Sequence, residues 1–87
     1  MVYYVYLILS KKISKYRSYV GYTKNIEKRL KLHNSSKGAK FTKGAKWELI
    51  YKKKYSDKKE AMKEEYKLKK NYKFRKKIKY NYINKVK

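Results

Sequence analysis

The chain contains no cysteine, which excludes disulfides and thiolate metal sites and makes an intracellular compartment the easier reading. It is also poor in acids: six Asp and Glu stand against 28 Lys and Arg, a formal charge of +22 over 87 residues. So much unopposed charge repels itself strongly unless a polyanion neutralises it. The expected partner is therefore nucleic acid, with an anionic membrane surface behind it. AT-rich codons encode Lys, Tyr, Asn and Ile, so genomic base composition can account for part of the lysine excess. Phosphate still feels that charge, and affinity for it must depend on salt whatever its origin. Long apolar runs are missing as well. The run Val2 to Leu9 is far too short to span a bilayer and lacks the basic region and cleavage site of a signal peptide. Internal repeats and linkers are absent, and 41% apolar content in 87 residues supports one domain with a modest core.

What is present organises itself around Tyr19 to His33. Val2 to Leu9, β-branched and aromatic, reads as a central strand covered on both faces, with Tyr4, Tyr6 and Ile8 on one side and Tyr3, Val5, Leu7 and Leu9 on the other. Ser10 to Lys15 is a polar connection and Arg17 to Tyr22 a second strand, giving a hairpin that can bring Tyr6 and Tyr19 onto one face. The turn has no Asn-Gly or Asp-Gly to set its register. Gly21 permits close backbone approach where this strand meets the helix that follows. Asn25 is the N-cap candidate of that helix, Glu27 suits its first turn, and it ends near Asn34. Counted at 3.6 residues per turn, Arg29 and His33 fall about 60° and 20° from the Ile26 direction, at the margin of the buried stripe.

Ser35 to Lys46 holds Gly38, Gly44 and four lysines with little periodicity, and reads as a loop suited to phosphate contact. Trp47, Leu49 and Tyr51 alternate with Glu48, Ile50 and Lys52 as a third strand with one well-buried face. A second helix opens at Asp57, with Glu60 at capping-box spacing and Ala61, Leu68 and Tyr72 as its inward stripe. Beyond Asn71, Phe74, Ile78, Tyr82 and Val86 recur every four residues amid lysines, as in a basic amphipathic helix or a tail that orders on binding. Glu65 lies about 40° from Ala61 around the second helix and so points inward. Burying a carboxylate is costly unless it is paired or bound to a metal. Composition and periodicity alone favour an ion pair with a lysine or Arg29. They likewise favour packing roles for individual tyrosines, twelve in all, and leave the role of the lone His33 open.

Tyr4-Val5-Tyr6, Tyr19-Val20-Gly21, Arg29-x-x-x-His33 and the acidic helix around Glu65 together resemble the GIY-YIG nuclease family. The likeness covers Tyr3 to about Lys70. It is strongest to the small stand-alone bacterial members related to the N-terminal domain of UvrC, which share a Lys-Gly-Ala-Lys segment. Tyr4 stands where the family name has its first Gly, and Val5 and Val20 replace the motif isoleucines. The resemblance implies an α/β (α+β) domain spanning 1–87, its core about 3–70. A three-stranded, mainly antiparallel sheet would be flanked by helices in the order β-β-α-β-α, with a further C-terminal helix. It further implies a metal-dependent DNA endonuclease of repair or recombination. In it, Glu65 is the metal ligand, for Mg²⁺ with Mn²⁺ as substitute; Tyr6 activates water, its phenolate favoured by surrounding cations; Tyr19 orients water or substrate; Arg29 supports the developing phosphate charge; and His33 assists proton transfer or holds Tyr6. Lys37, Lys40, Lys43, Lys46, Lys52, Lys53, Lys54 and Lys69 are the expected nucleic-acid contacts. The expected partner is DNA, with RNA the other polymer to test, no membrane, and a monomer or weak dimer in the cytoplasm, at the nucleoid of a bacterium or the replication site of a DNA virus. The competing class is a non-catalytic DNA- or RNA-binding module.

Overall fold

The protein is described from a computed structural model covering residues 2–12, 15–35 and 45–85. Its elements are β1 (Tyr3–Lys12), β2 (Lys15–Thr23), α1 (Ile26–Asn34), β3 (Glu48–Tyr55), α2 (Lys58–Lys70) and α3 (Tyr72–Lys85). The three strands form one sheet in the order β2-β1-β3, and both pairings are antiparallel. This is the expected α+β arrangement with its additional C-terminal helix. The hairpin runs further than the apolar residues alone indicate: Lys11 pairs with Tyr16 and Lys12 with Lys15. A zipped ladder continues on backbone hydrogen bonds after its side chains have turned polar.

Each face of β1 is covered. Val5 and Leu7 pack with Val20 of β2 and with Ala61 and Leu68 of α2, joined at the rim by Tyr3 and by Ile78 of α3. Tyr6 and Ile8 face the other way, toward Trp47, with Ile26 and Leu30 of α1 packed against them. The alternation expected for Trp47, Leu49 and Tyr51 breaks inside β3. Leu7 pairs with Tyr51 but Ile8 with Leu49, so Ile50 is an extra residue in the ladder. Such a bulge switches faces: Trp47 and Leu49 lie on the α1 side, whereas Ile50 and Tyr51 join the α2 side.

Asn25 caps α1 as expected, its Oδ1 accepting from the Lys28 N–H at 3.1 Å. The helix's other end is tied to the sheet. Asn34 Oδ1 accepts from the Trp47 N–H at 2.5 Å and its Nδ2 donates to the Trp47 carbonyl at 3.1 Å. Asp57 does occupy the N-cap position of α2, but its side chain makes no capping bond. Asp57 and Glu60 are both exposed, where water satisfies carboxylates and the first-turn N–H groups at little cost. Tyr72 also departs from the expected stripe and is 61% exposed. The chain turns at Asn71 before helical counting from Ala61 reaches Tyr72. Asn71 then caps α3 by accepting from the Phe74 N–H, while Arg75 Nε donates back to the Leu68 carbonyl. On α3, Phe74 meets Tyr51 edge-on, Ile78 packs on the α2-side core, and the Tyr82 hydroxyl donates to Glu48. Val86 lies outside the described residues.

Candidate active site

The α1 side of the sheet is where the candidate residues meet. Tyr6 pairs with Gly21 and Ile8 with Tyr19, so strand alternation places both tyrosines and the glycine on this face. The Tyr6 ring lies directly across Gly21: a β-carbon there would stand 2.6 Å from Tyr6 Cζ and closer still to its hydroxyl. Only a residue without a side chain leaves room for the phenol.

His33 comes down onto the same ring from the last turn of α1. It is fully buried, deeper than a marginal position, because the Asn34–Trp47 bridge draws that end of the helix onto the sheet. Tyr6 Oη and His33 Nε2 are 2.9 Å apart, and the Tyr19 and His33 rings pack with centroids 5.1 Å apart. Arg29, one turn earlier, reaches the same spot. Its Nε is buried without a hydrogen-bond partner, an unmet donor of the kind that a buried anion satisfies.

Burial raises the Tyr6 pKa above its ordinary 10.0, against the pull of the neighbouring Arg29 guanidinium, while the charges of Tyr19 and Glu65 push it further up. The phenolate expected among so many cations is thus not the resting form. Desolvation of a buried phenol outweighs one nearby cation. Burial and Arg29 both lower the His33 pKa, so at neutral pH its ring is an uncharged proton acceptor beside a protonated phenol.

Glu65 comes from α2, in the opposite layer, yet its charge acts on Tyr6. Its side chain is 18% exposed and pairs with Lys69 at 3.5 Å. Lys69, half exposed, shares its ammonium with that carboxylate. No group of three or more His, Asp or Glu gathers among the described residues, and Glu65 itself offers one carboxylate, largely buried and paired with Lys69. A single carboxylate suits a divalent cation that keeps several waters and takes substrate phosphate oxygens, as Mg²⁺ does.

The lysines divide. Lys52 pairs with Tyr6 and Lys54 with Tyr4, both on the α1 face, whereas Lys53 points to the other face and lies over the Tyr55 ring. Lys46 is exposed beside Glu48 and Tyr82, on the α3 side. Lys37, Lys40 and Lys43 lie outside the described residues. Sequence reasoning missed Asn34, whose partner lies thirteen residues away; no local pattern marks it.

The GIY-YIG catalytic-domain model matches residues 2–81. The chain belongs to the GIY-YIG family. That family is one of nucleases, which typically use a divalent metal. Among individual GIY-YIG relatives, a UPF0213 protein of Bacillus licheniformis is 72% identical over 25 residues, 29% of this chain and 26% of its own. A UPF0213 protein of Staphylococcus haemolyticus is 50% identical over 40 residues, 46% of this chain and 45% of its own. The chain thus spans less than half the length of these curated relatives. The solution NMR structure of a UPF0213 protein from Bacillus halodurans shares 38% identity, covering 88% of this chain and 80% of that one, with a TM-score of 0.47.

Proposed function

We propose that this chain is a metal-dependent DNA endonuclease, acting as a single domain in repair or recombination, with Tyr6, Tyr19, Arg29, His33 and Glu65 as its site. The observation that carries the reading is the Tyr6–His33 hydrogen bond beside the unpartnered Arg29 Nε. We assign the shared proton to Tyr6, donating to Nε2 of a neutral imidazole whose own proton is on Nδ1. Water attacking phosphorus then gives its proton to the Tyr6 oxygen as the phenol proton passes to Nε2. Relaying the proton in this way avoids a free phenolate, which burial disfavours, and leaves an imidazolium that the negative charge of the attacked phosphate must stabilise against the same burial and against Arg29. Arg29 turns its unmet donor to a phosphate oxygen whose negative charge grows in the transition state. Tyr19 packs against His33 and keeps the imidazole aimed at Tyr6. Glu65 would hold Mg²⁺, or Mn²⁺ in its place, which when bound supplies Lewis-acid stabilisation of the leaving oxygen.

The test is cleavage of labelled single-stranded, duplex, flap and four-way-junction DNA with Mg²⁺ or Mn²⁺ at low salt, comparing wild type with Glu65→Ala and Tyr6→Phe. Metal-dependent cutting should disappear in both variants while binding persists. A contaminating nuclease ignores both substitutions. Binding of every substrate without cutting overturns the catalytic reading in favour of a basic binding module, to which the charge of +22 is suited. Preference for RNA over DNA of matched shape would then name its ligand.

A further inference from the structure

Two residues before Tyr6 on the same face of β1, roughly 6.6–6.8 Å along the strand, Tyr4 is half-buried in a groove of about 420 Å³. Leu49 of β3 and Leu30 of α1 supply apolar wall, and Lys52 stands at its rim; Lys24 also lines it, but its ammonium lies over the Tyr3 ring, 5.6 Å from the centroid. Lys52 is the cross-strand partner of Tyr6 itself, and its ammonium leans over the Tyr4 ring at 6.0 Å from the centroid. One side of that ring therefore meets a long, exposed lysine rather than packed core. An aromatic platform, apolar walls, the Lys52 ammonium and the Glu27 carboxylate make a combination suited to one kind of ligand. A nucleobase stacks on an aromatic face, its exocyclic amine can donate to a carboxylate, and its phosphate pairs with lysine.

We infer that this groove receives the unpaired base of the nucleotide flanking the scissile phosphate, stacked on Tyr4, with Lys52 on the adjoining phosphate. The inference rests on the nuclease reading for the location of that phosphate beside Tyr6. It names the substrate more narrowly: a base inside a duplex is already stacked between its neighbours, so the groove selects DNA that is single-stranded at the cut.

Binding is measured on protein carrying Glu65→Gln, which removes the metal ligand and leaves the groove untouched. The probes are a single-stranded oligonucleotide containing 2-aminopurine and the same strand annealed to its complement. Tyr4→Ala and Tyr4→Leu, the latter keeping apolar volume without a ring, should each weaken single-strand binding on the order of tenfold, in the range stacking aromatics contribute. Duplex affinity should hold, and the fluorescence quenching of 2-aminopurine should be lost. Tyr4→Phe should retain both affinity and quenching. Equal loss on single strand and duplex, or no loss in the leucine variant, overturns the inference. Wild-type cleavage is scored separately: absence of metal-dependent cutting sinks the nuclease reading, whereas a base-specific quench that depends on the Tyr4 ring survives it.

Discussion

Tyr6 is held by two residues that do opposite things for it, Gly21 by leaving space and His33 by filling it. Gly21→Ala would drive a β-carbon into a ring that is itself only 2% exposed. The expected cost is about 1–3 kcal/mol, typical of an overpacked core, with displacement of the phenol and loss of cutting. Thermal denaturation checks it, and an alanine variant that melts with the wild type would show that the ring has room to move. The pair also sets a pH window. His33 is depressed below 6.5 in the folded protein, so its contribution is complete above that value and is lost as pH falls toward the folded pKa. Tyr6 is raised above 10.0, so its contribution is complete below 10.0 and is lost as pH rises toward the folded pKa. Stability from this pair should therefore be flat between about pH 6.5 and 10 and decline on both sides. Urea titrations across pH measure it. His33→Phe should flatten the acid limb attributable to His33; an unchanged limb would assign it to other groups.

At the level of elements, α1 places two catalytic candidates and is fastened at both ends. Its N-terminus is capped locally by Asn25, its C-terminus distantly by the Asn34 bridge to Trp47. Asn34→Ala removes both side-chain bonds to the start of β3, at an expected cost of about 1–2 kcal/mol. Because the bridge seats His33 on Tyr6, cutting should fall further than stability accounts for under conditions where the variant remains folded. Asn34→Asp keeps the acceptor for the Trp47 N–H and loses the donor, so it should lie between alanine and wild type. Denaturant midpoints and single-turnover cleavage on the same samples separate the two effects. Identical proportional losses in both would make Asn34 a stability residue alone. The bulge at Ile50 matters at this scale too, because it returns Lys52 to the Tyr6 side of the sheet while Trp47 remains in the core beneath α1.

For the whole molecule, a charge of +22 makes salt act in opposite directions on folding and on binding. Screening shortens the reach of lysine–lysine repulsion to about 10 Å at 0.1 M, so the melting temperature should rise as sodium chloride is added from low ionic strength. Nucleic-acid affinity should fall over the same range, by a factor on the order of 10³ or more between 50 and 200 mM if six or more phosphates are contacted. Differential scanning and fluorescence anisotropy, run in one buffer series, test both signs; a melting temperature that falls with salt would mean that attractive pairs outweigh the repulsion. In the ion pairs of α2, Glu64 with Lys67 and Glu65 with Lys69, each lysine is at least half exposed, where such a pair contributes little against that repulsion. No helix among the described residues is long and apolar enough to cross a membrane.

The sequence by itself determined the order of strands and helices along the chain, the Asn25 cap and the polyanion-seeking charge, and showed that a hairpin can bring Tyr6 and Tyr19 onto one face. These follow from periods of two and 3.6 residues, from one local capping bond and from a count, none of which needs a distant neighbour. Tertiary structure alone decided that His33 is buried and bonded to Tyr6 across 27 positions. It also decided that Asn34 seats it there and that a bulge redirects β3. The upward push on the Tyr6 pKa belongs to the same level. Counting nearby lysines predicts a phenolate, but the protonation of Tyr6 depends on how much water packing removes around it, and desolvation is a property of the assembled core.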